Sequence, residues 1–85
     1  MNTMTTAPLP TQADHDVEWN AGELGCGELV LELRQRVRQA PGKVFKITAL
    51  DPGAPADIPA WCRMTNNVLI AHDPQASAFW IRAKP

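Results

Sequence analysis

The sequence predicts an α/β (α+β) fold, a two-layer sandwich in which a four-stranded mixed sheet carries two helices on one face. Two observations lead to this prediction. The chain has 85 residues, which allows one small domain. Its apolar residues recur with strand and helix spacing in the order strand, helix, strand, helix, strand, strand (β-α-β-α-β-β). Because each element is apolar on one side, helices and sheet bury these sides against each other.

The first predicted strand includes Val17 and Trp19, which alternate with polar neighbours and therefore share one buried face. A turn is predicted at residues 20–22, where asparagine, alanine and glycine follow one another. Leu24 is the apolar residue of the connection that follows, and we expect it to anchor this connection to the core.

The clearest helical pattern in the chain runs from residue 29 to residue 39. Glu32 and Arg36 stand four residues apart in the order that favours an ion pair. Acidic residues come early and arginines late, as the helix dipole favours, and Pro41-Gly42 ends the helix. The stripe that faces the core is predicted to contain Leu29 or Val30, Leu33 and Val37.

Residues 43–50 form the second predicted strand. Their alternation predicts a buried face with Phe45, Ile47 and Ala49, and an opposite face with Lys46 and Thr48. A strand–helix–strand unit with a right-handed crossover makes the first two strands parallel. The proline- and glycine-rich residues 51–55 predict a turn after this strand.

A second, short helix is predicted to begin with Asp57 as its N-cap and to hold Pro59 in its first turn. Its apolar face contains Ile58, Trp61 and Cys62, and Asn66-Asn67 ends it. Residues 68–71 and 78–82 are the last two predicted strands. A turn at residues 73–76 joins them into a hairpin.

Composition limits the possible partners and locations. The formal net charge is −1, so nothing in the overall charge favours nucleic acid or an anionic membrane surface. No apolar run approaches the ~18 residues of a membrane span, and the first twelve residues do not resemble a signal peptide. We therefore expect a cytoplasmic monomer. Residues 1–15, rich in Thr, Ala and Pro, are predicted to be a disordered tail that precedes a domain at residues 16–85.

The two cysteines and two histidines do not form a metal-binding pattern. His15 and His72 are far apart and have no ligand spacing with either cysteine, so both are interpreted as surface residues. In a reducing compartment two cysteines are expected to be free thiols. The sequence therefore predicts no metal and no cofactor.

Cys26 is the strongest candidate for chemistry because it lies between Gly25 and Gly27, directly before the predicted helix. At a helix N-terminus, unpaired backbone N–H groups and the dipole favour a negative charge, and such surroundings lower the pKa of a cysteine. The N–H groups of Gly27 and Glu28 are the predicted supporting donors. The alternative is a buried, inert thiol, but two flanking glycines argue against a packed core position.

Residues 17–82 resemble the TusA/SirA-like sulfur-carrier family. The landmarks that carry this resemblance are Leu24 and Cys26, the stretch Ala49-Leu50-Asp51-Pro52, the stretch Asp57-Ile58-Pro59-Ala60-Trp61-Cys62, and the closing stretch Phe79-Trp80-Ile81-Arg82. The chain departs from the family at its Cys-Pro-x-Pro motif, where it has Cys26-Gly27-Glu28-Leu29.

The resemblance implies a sulfurtransferase-like protein that accepts a persulfide sulfur on Cys26 and passes it to the thiol of a partner protein. The implied partners are a sulfur donor, either a desulfurase or a rhodanese-like protein, and an acceptor protein. Neither a cofactor nor a metal is implied.

Two alternatives remain open at this point. The first is a non-catalytic interaction or regulatory module on the same fold, in which transfer was lost together with the prolines. The second is a redox-sensing dithiol formed by Cys26 and Cys62. Helical spacing places Cys62 on the core face, which favours a buried structural thiol. The basic residues between Arg34 and Lys46 are interpreted first as a solvated face and second as a surface for docking a partner or nucleic acid, although interleaved aromatics and overall positive charge are lacking for the latter.

Overall fold

Residues 14–85 are described by a computed structural model of the chain. Of the predicted disordered tail, residues 1–15, the first thirteen residues lie outside the described part of the chain. Within the described part, the order of elements is the predicted one. The elements are β1 (Val17–Gly22), α1 (Cys26–Gln39), β2 (Val44–Ala49), α2 (Ala54–Thr65), β3 (Val68–Asp73) and β4 (Ala78–Arg82).

The strands form a four-stranded sheet in the order β1-β2-β4-β3. β1 and β2 are parallel, whereas β4 is antiparallel to both of its neighbours. The sheet is therefore mixed, and the predicted parallel pair and the predicted C-terminal hairpin are confirmed. β2 and β4 occupy the centre because the chain after α2 forms the far edge as β3 before it turns back.

Both helices cover the same face of the sheet. Alternation along β2 and β4 points every second side chain toward them, and these side chains join those of the helices in one buried cluster. The largest fully buried members of the cluster are Phe45, Phe79, Leu29, Leu33, Ile47, Ile58 and Ile81. The predicted two-layer sandwich is thus confirmed, and Leu24 packs against the cluster as expected.

The start of α2 corrects one prediction. The helix begins at Ala54 with Gly53 as its N-cap, so Asp57 is a first-turn residue and not the cap. The amide of Asp57 donates to the carbonyl of Gly53 at 2.9 Å, which shows that the helix is already formed there. Proline within the first turn is tolerated, and this lets the helix begin in the stretch that was predicted as a turn. Pro59 consequently lies inside the helix.

Two further predictions are changed by the structure. β1 continues through the predicted turn to Gly22, with an irregular register between Asn20 and Gly22. Asn20 Oδ1 accepts a hydrogen bond from the Gly22 amide at 2.8 Å, a local contact that explains this irregularity. His72 is half-buried and its ring stacks on Phe79 at 4.2 Å, so it is not a plain surface residue. His15 is exposed as expected and contacts Glu18.

Candidate functional site

Cys26 is the first residue of α1. Gly25, the N-cap, has extended backbone angles (φ −76°, ψ 173°), and its carbonyl accepts the first helical hydrogen bond, from the Leu29 amide, at 2.7 Å. The amides that precede Leu29 in the helix have no carbonyl four residues earlier within it. Gly25 has no side chain to cap them, and no side chain caps this helix start. The backbone thus offers uncapped donors, including those of Gly27 and Glu28, where Cys26 lies.

The surroundings of this helix start are open. A Cβ atom built on Gly25 or on Gly27 would have no heavy atom of a neighbouring residue within 4 Å. Gly27 and Glu28 are exposed. Directly before them, Leu24 packs against the core, and its amide donates to the carbonyl of Ala21 at 3.3 Å. Leu24 therefore anchors the backbone directly before the helix start, and the exposed residues Gly27 and Glu28 follow in its first turn.

The ends of several elements meet at this side of the domain. The amide of Leu50 donates to the Gly22 carbonyl at 2.8 Å, and the amide of Ala49 donates to the Ser77 carbonyl at 3.0 Å. These bonds join the exit of β1, the exit of β2 and the β3–β4 turn. Because the helices run back along the sheet, both helix N-termini lie at this end as well. The sequence pattern predicts the helix start, but it does not predict that Gly25 is its N-cap.

This end of the domain is acidic. None of the eight arginines and lysines of the chain lies in the segments 22–28, 50–57 and 73–78, which form this end. The carboxylates in these segments are those of Glu23, Glu28, Asp51, Asp57 and Asp73. A carboxylate near a thiol opposes its ionisation, whereas a helix N-terminus favours it.

Cys62 has different surroundings, and its predicted burial is confirmed. Its side chain is only 3% exposed and belongs to the core cluster of the domain. Burial raises the pKa of the Cys62 thiol from 9.0 to about 11, although the positive charge of Arg63 acts in the opposite direction. At neutral pH this thiol is protonated and enclosed, so it lacks the properties of a nucleophile.

The two cysteines lie at different positions along their helices. Cys62 is eight residues beyond the start of α2, a distance of roughly 12 Å along the helix axis. Its neighbour Trp61 lines a groove together with Arg34 and Val37, which belong to the second half of α1. Cys26, in contrast, begins α1. A disulfide needs Cα atoms within ~7 Å, and this helix arrangement does not favour such an approach.

That groove lies beside the C-terminal halves of both helices, at the end of the domain opposite the start of α1. Its volume is about 520 Å³. Three cations, Arg34, Arg38 and Lys84, line it without any acidic side chain, over a floor that includes Trp61 and Val37. The predicted basic region is therefore not one surface, because Arg36 does not line the groove. Arg36 pairs with Glu32 at 3.4 Å and lies over the ring of Trp19 at 4.3 Å.

Within residues 14–85 there is no group of three or more His, Cys, Asp or Glu side chains placed to hold a metal ion. In the same part of the chain, neither helix has the length and apolar character that a membrane span requires.

Comparison with known proteins relates this chain to a family. A family model described as Sulfurtransferase TusA matches residues 18–83. The chain belongs to the TusA family. Relatives of this TusA-family chain carry the name "Sulfur carrier protein TusA". That of Pseudomonas entomophila (strain L48) is 36% identical over 77 residues, which cover 87% of this chain and 96% of the relative. That of Pseudomonas syringae pv. syringae (strain B728a) is 39% identical over 72 residues, 81% of this chain and 86% of the relative.

Proposed function

We propose that this TusA-family chain relays sulfur between proteins, with Cys26 as the residue that carries it as a persulfide. The observation that supports this role best is the position of Cys26 as the first residue of α1, beside uncapped amides and between two glycines with free space around them. The relatives named as sulfur carriers support the same role. The proposed partners are a donor protein that holds a persulfide and an acceptor protein that holds a thiol.

The proposed transfer consists of two exchanges of the same kind. The Cys26 thiolate attacks the outer sulfur of a donor persulfide, R–S–SH. A new S–S bond forms to Cys26, the donor S–S bond breaks, and the donor leaves as the thiolate R–S⁻. The acceptor thiolate then attacks the outer sulfur on Cys26 and releases the Cys26 thiolate. Each exchange conserves electrons, so neither an oxidant nor a cofactor is required.

The protein contributes geometry and electrostatics to these exchanges. In both, Cys26 starts or ends as an anion, and backbone N–H groups at a helix start stabilise an anion without reorganisation. The open space at Gly25 and Gly27 allows two protein surfaces to approach the same sulfur. Leu24 and the hydrogen bonds of the neighbouring loops keep the backbone in place during this approach.

The first test is intact-mass spectrometry after incubation with a cysteine desulfurase and L-cysteine. The wild type is compared with Cys26→Ser and with the matched control Cys62→Ala. We expect a gain of about 32 Da, one sulfur atom, that reductant removes from the wild type and the control and that is absent from Cys26→Ser. Loading that persists in Cys26→Ser would assign the sulfur to another residue and overturn the proposal.

One observation favours a second candidate, a non-catalytic interaction module on the same fold. The family motif has prolines where this chain has Gly27 and Leu29, and Leu29 is fully buried in the core. At the position of the motif's second proline, this chain therefore has a side chain that packs in the core. An inorganic polysulfide separates the two candidates because it needs no docking surface. A carrier lacking its natural donor still gains sulfur on Cys26 from polysulfide, whereas an unreactive Cys26 identifies the module.

The redox-dithiol alternative makes its own prediction. Oxidation to a Cys26–Cys62 disulfide lowers the intact mass by about 2 Da and links the two cysteine-containing peptides. The buried position of Cys62 in α2 argues against this outcome.

A further inference from the structure

The groove beside the C-terminal halves of both helices carries positive charge that the domain itself does not neutralise. Arg34, Arg38 and Lys84 line it, and no acidic side chain of the described residues does so. No ion pair within residues 14–85 includes any of these three cations. Arg34 and Arg38 are exposed and stand four residues apart on α1, where like charges repel each other. The groove therefore favours a ligand with negative charge.

The same groove also offers apolar surface. Val37 and Trp61 form part of its floor, and Met64 lies at its side. The side chain of Met64 is 79% exposed, although α2 ends only one residue later. A large apolar side chain that is left in solvent among cations is typical of an interaction surface. The ligand that fits this groove thus combines carboxylates with an apolar group.

The acidic end of the domain, formed by segments 22–28, 50–57 and 73–78, has this combination. It contains carboxylates but neither arginine nor lysine. Leu50 is 52% exposed there, and Asp51 follows it directly. A Cβ atom built on Gly53 would lie 2.9 Å from Asp51 Oδ2 and 3.0 Å from Asp57 Oδ2, so these two carboxylates lie close together. An exposed leucine beside paired carboxylates matches an apolar floor beside paired arginines.

We propose that the groove of one copy of this chain binds the acidic end of a second copy. In this contact Leu50 packs on the apolar floor, and the carboxylates of Asp51 and Asp57 face the two arginines of the groove. The two surfaces are different, so the contact is head-to-tail and leaves one free surface on each outer copy. Copies therefore add in a row. This proposal replaces the monomer that was expected from the sequence.

The distribution of charge favours a second copy as the occupant. The groove and the acidic end lie at opposite ends of the domain, so a copy cannot fill its own groove. The formal net charge is only −1, so whole copies repel each other weakly. Both surfaces are exposed, and salt screens contacts between exposed charges. The association is therefore expected to depend on protein concentration and to weaken as salt is added.

Self-association has a consequence for Cys26. α1 begins within the acidic end, so each head-to-tail contact places a second copy against the helix start. A sulfur donor or acceptor then competes with this copy for access. This consequence rests on the proposed function, whereas the association itself does not and is tested without any sulfur chemistry.

Sedimentation velocity of the full chain, with reductant present, tests the association. In about 20 mM salt we expect the sedimentation coefficient to rise between about 10 µM and about 1 mM protein; in about 500 mM salt, where the Debye length is about 4 Å, it should stay at the monomer value. The double variant Arg34→Glu, Arg38→Glu is expected to abolish the rise. The matched control Arg63→Glu, Arg82→Glu changes the net charge equally at exposed positions outside the groove and is expected to keep it.

A second variant tests the acidic end. Leu50→Lys combined with Asp57→Asn leaves the groove intact and is also expected to sediment as a monomer. Mixed in equal amounts with the groove variant, it should form a complex of one copy of each and nothing larger. The reason is that one variant contributes the intact groove and the other the intact acidic end.

Two results would overturn the proposal. The first is a wild-type chain that stays monomeric at about 1 mM protein in about 20 mM salt, because the occupant of the groove is then another protein. The second is a mixture of the two variants that stays monomeric although circular dichroism shows both to be folded.

Discussion

The two cysteines of this chain lie in helices of the same domain but at different positions along them. Cys26 begins α1, and the glycines on both sides of it have open space around them. Cys62 lies in the third turn of α2, 3% exposed within the core cluster. Lying in a helix does not by itself make a cysteine reactive. Position along the helix and burial govern the reactivity of a helical thiol.

The physical basis of this difference is the short range of the helix-start effect. The dipole and the free amides act within the first turn. Cys62 is eight residues beyond the start of α2 and gains nothing from them. Its burial instead penalises the charged form, which is why its pKa rises to about 11.

The largest expected effect is a selectivity of alkylation between the two thiols. Iodoacetamide reacts with thiolates, and raising the pKa of Cys62 from 9.0 to about 11 reduces its thiolate fraction near neutral pH by about 100-fold, before burial restricts access further. In the native protein at pH 7.5 we therefore expect label on Cys26 at least about 100-fold faster than on Cys62. Peptide mass spectrometry measures both rates in one sample.

Labelling in urea provides the control for this selectivity. Unfolding removes both the helix start and the burial, so the two rates should become similar. If Cys62 were labelled as fast as Cys26 in the folded state, the contrast between the two regions would be wrong.

The next effect is a dependence of stability on alkaline pH. The folded pKa of Cys62 is raised, so below pH 9 the thiol is protonated in both the folded and the unfolded states and its contribution to stability is complete. Above pH 9 the unfolded chain releases this proton first, and stability is lost as the pH rises toward 11. Two pKa units correspond to a loss on the order of 2–3 kcal/mol in the free energy of unfolding.

Urea denaturation of the wild type and of Cys62→Ala at pH 8, 9, 10 and 11 measures this loss. The two proteins differ only at residue 62, so the difference between their two curves reports the thiol. We expect the free energies of unfolding to converge as the pH rises. Parallel curves would mean that the Cys62 thiol ionises equally easily in the folded and unfolded chains.

The sequence allows most of the fold to be predicted because its periodicity is regular. Alternation in β2 and β4 assigns their core faces correctly, and the stripe on α1 assigns the buried positions Leu29, Leu33 and Val37. The start of α2 could not be predicted in the same way. Asp57 is a good capping residue by type, but Gly53 and a proline-tolerant first turn compete with it, and only the three-dimensional contacts decide.

The candidate site shows the same division. The position of Cys26 at a helix start follows from the pattern of the residues after it. The full burial of Trp80 does not follow from the pattern, because alternation assigns a side chain to a face but does not show how well that face is covered. The distance between Cys26 and Cys62 likewise depends on how the two helices lie beside each other, which local spacing does not determine.

A smaller effect is expected from Gly27→Ala. Gly27 lies in the first turn of α1, is exposed, and has room for a Cβ atom. Alanine loses less conformational entropy than glycine on entering a helix, so we expect the free energy of unfolding to rise by about 0.5–1 kcal/mol. Urea denaturation measures the change, and a loss of stability would show that the backbone here needs glycine.

Gly27→Pro is the matched variant for chemistry. Alanine keeps the amide N–H at this position, whereas proline removes it and is still tolerated in a first helical turn. Slower alkylation of Cys26 in the proline variant than in the alanine variant would identify this amide as a donor to the sulfur anion. Equal rates would leave the Glu28 amide and the helix dipole as the remaining groups that stabilise the thiolate.

The smallest effect is the most specific, because it moves stability and reactivity in opposite directions. Gly25→Ser places a hydroxyl at the N-cap, where the extended backbone and the free space accommodate it. The serine oxygen accepts from a first-turn amide and stabilises the helix by a few tenths of a kcal/mol relative to glycine. The same oxygen competes with the Cys26 sulfur for that donor, so alkylation of Cys26 should slow by roughly twofold.

Gly27→Ala raises stability without adding a competing acceptor, so a slowing confined to Gly25→Ser would tie the reactivity of Cys26 to its uncapped amides. Equal rates in Gly25→Ser and the wild type would instead assign the contrast between the two cysteines to burial alone.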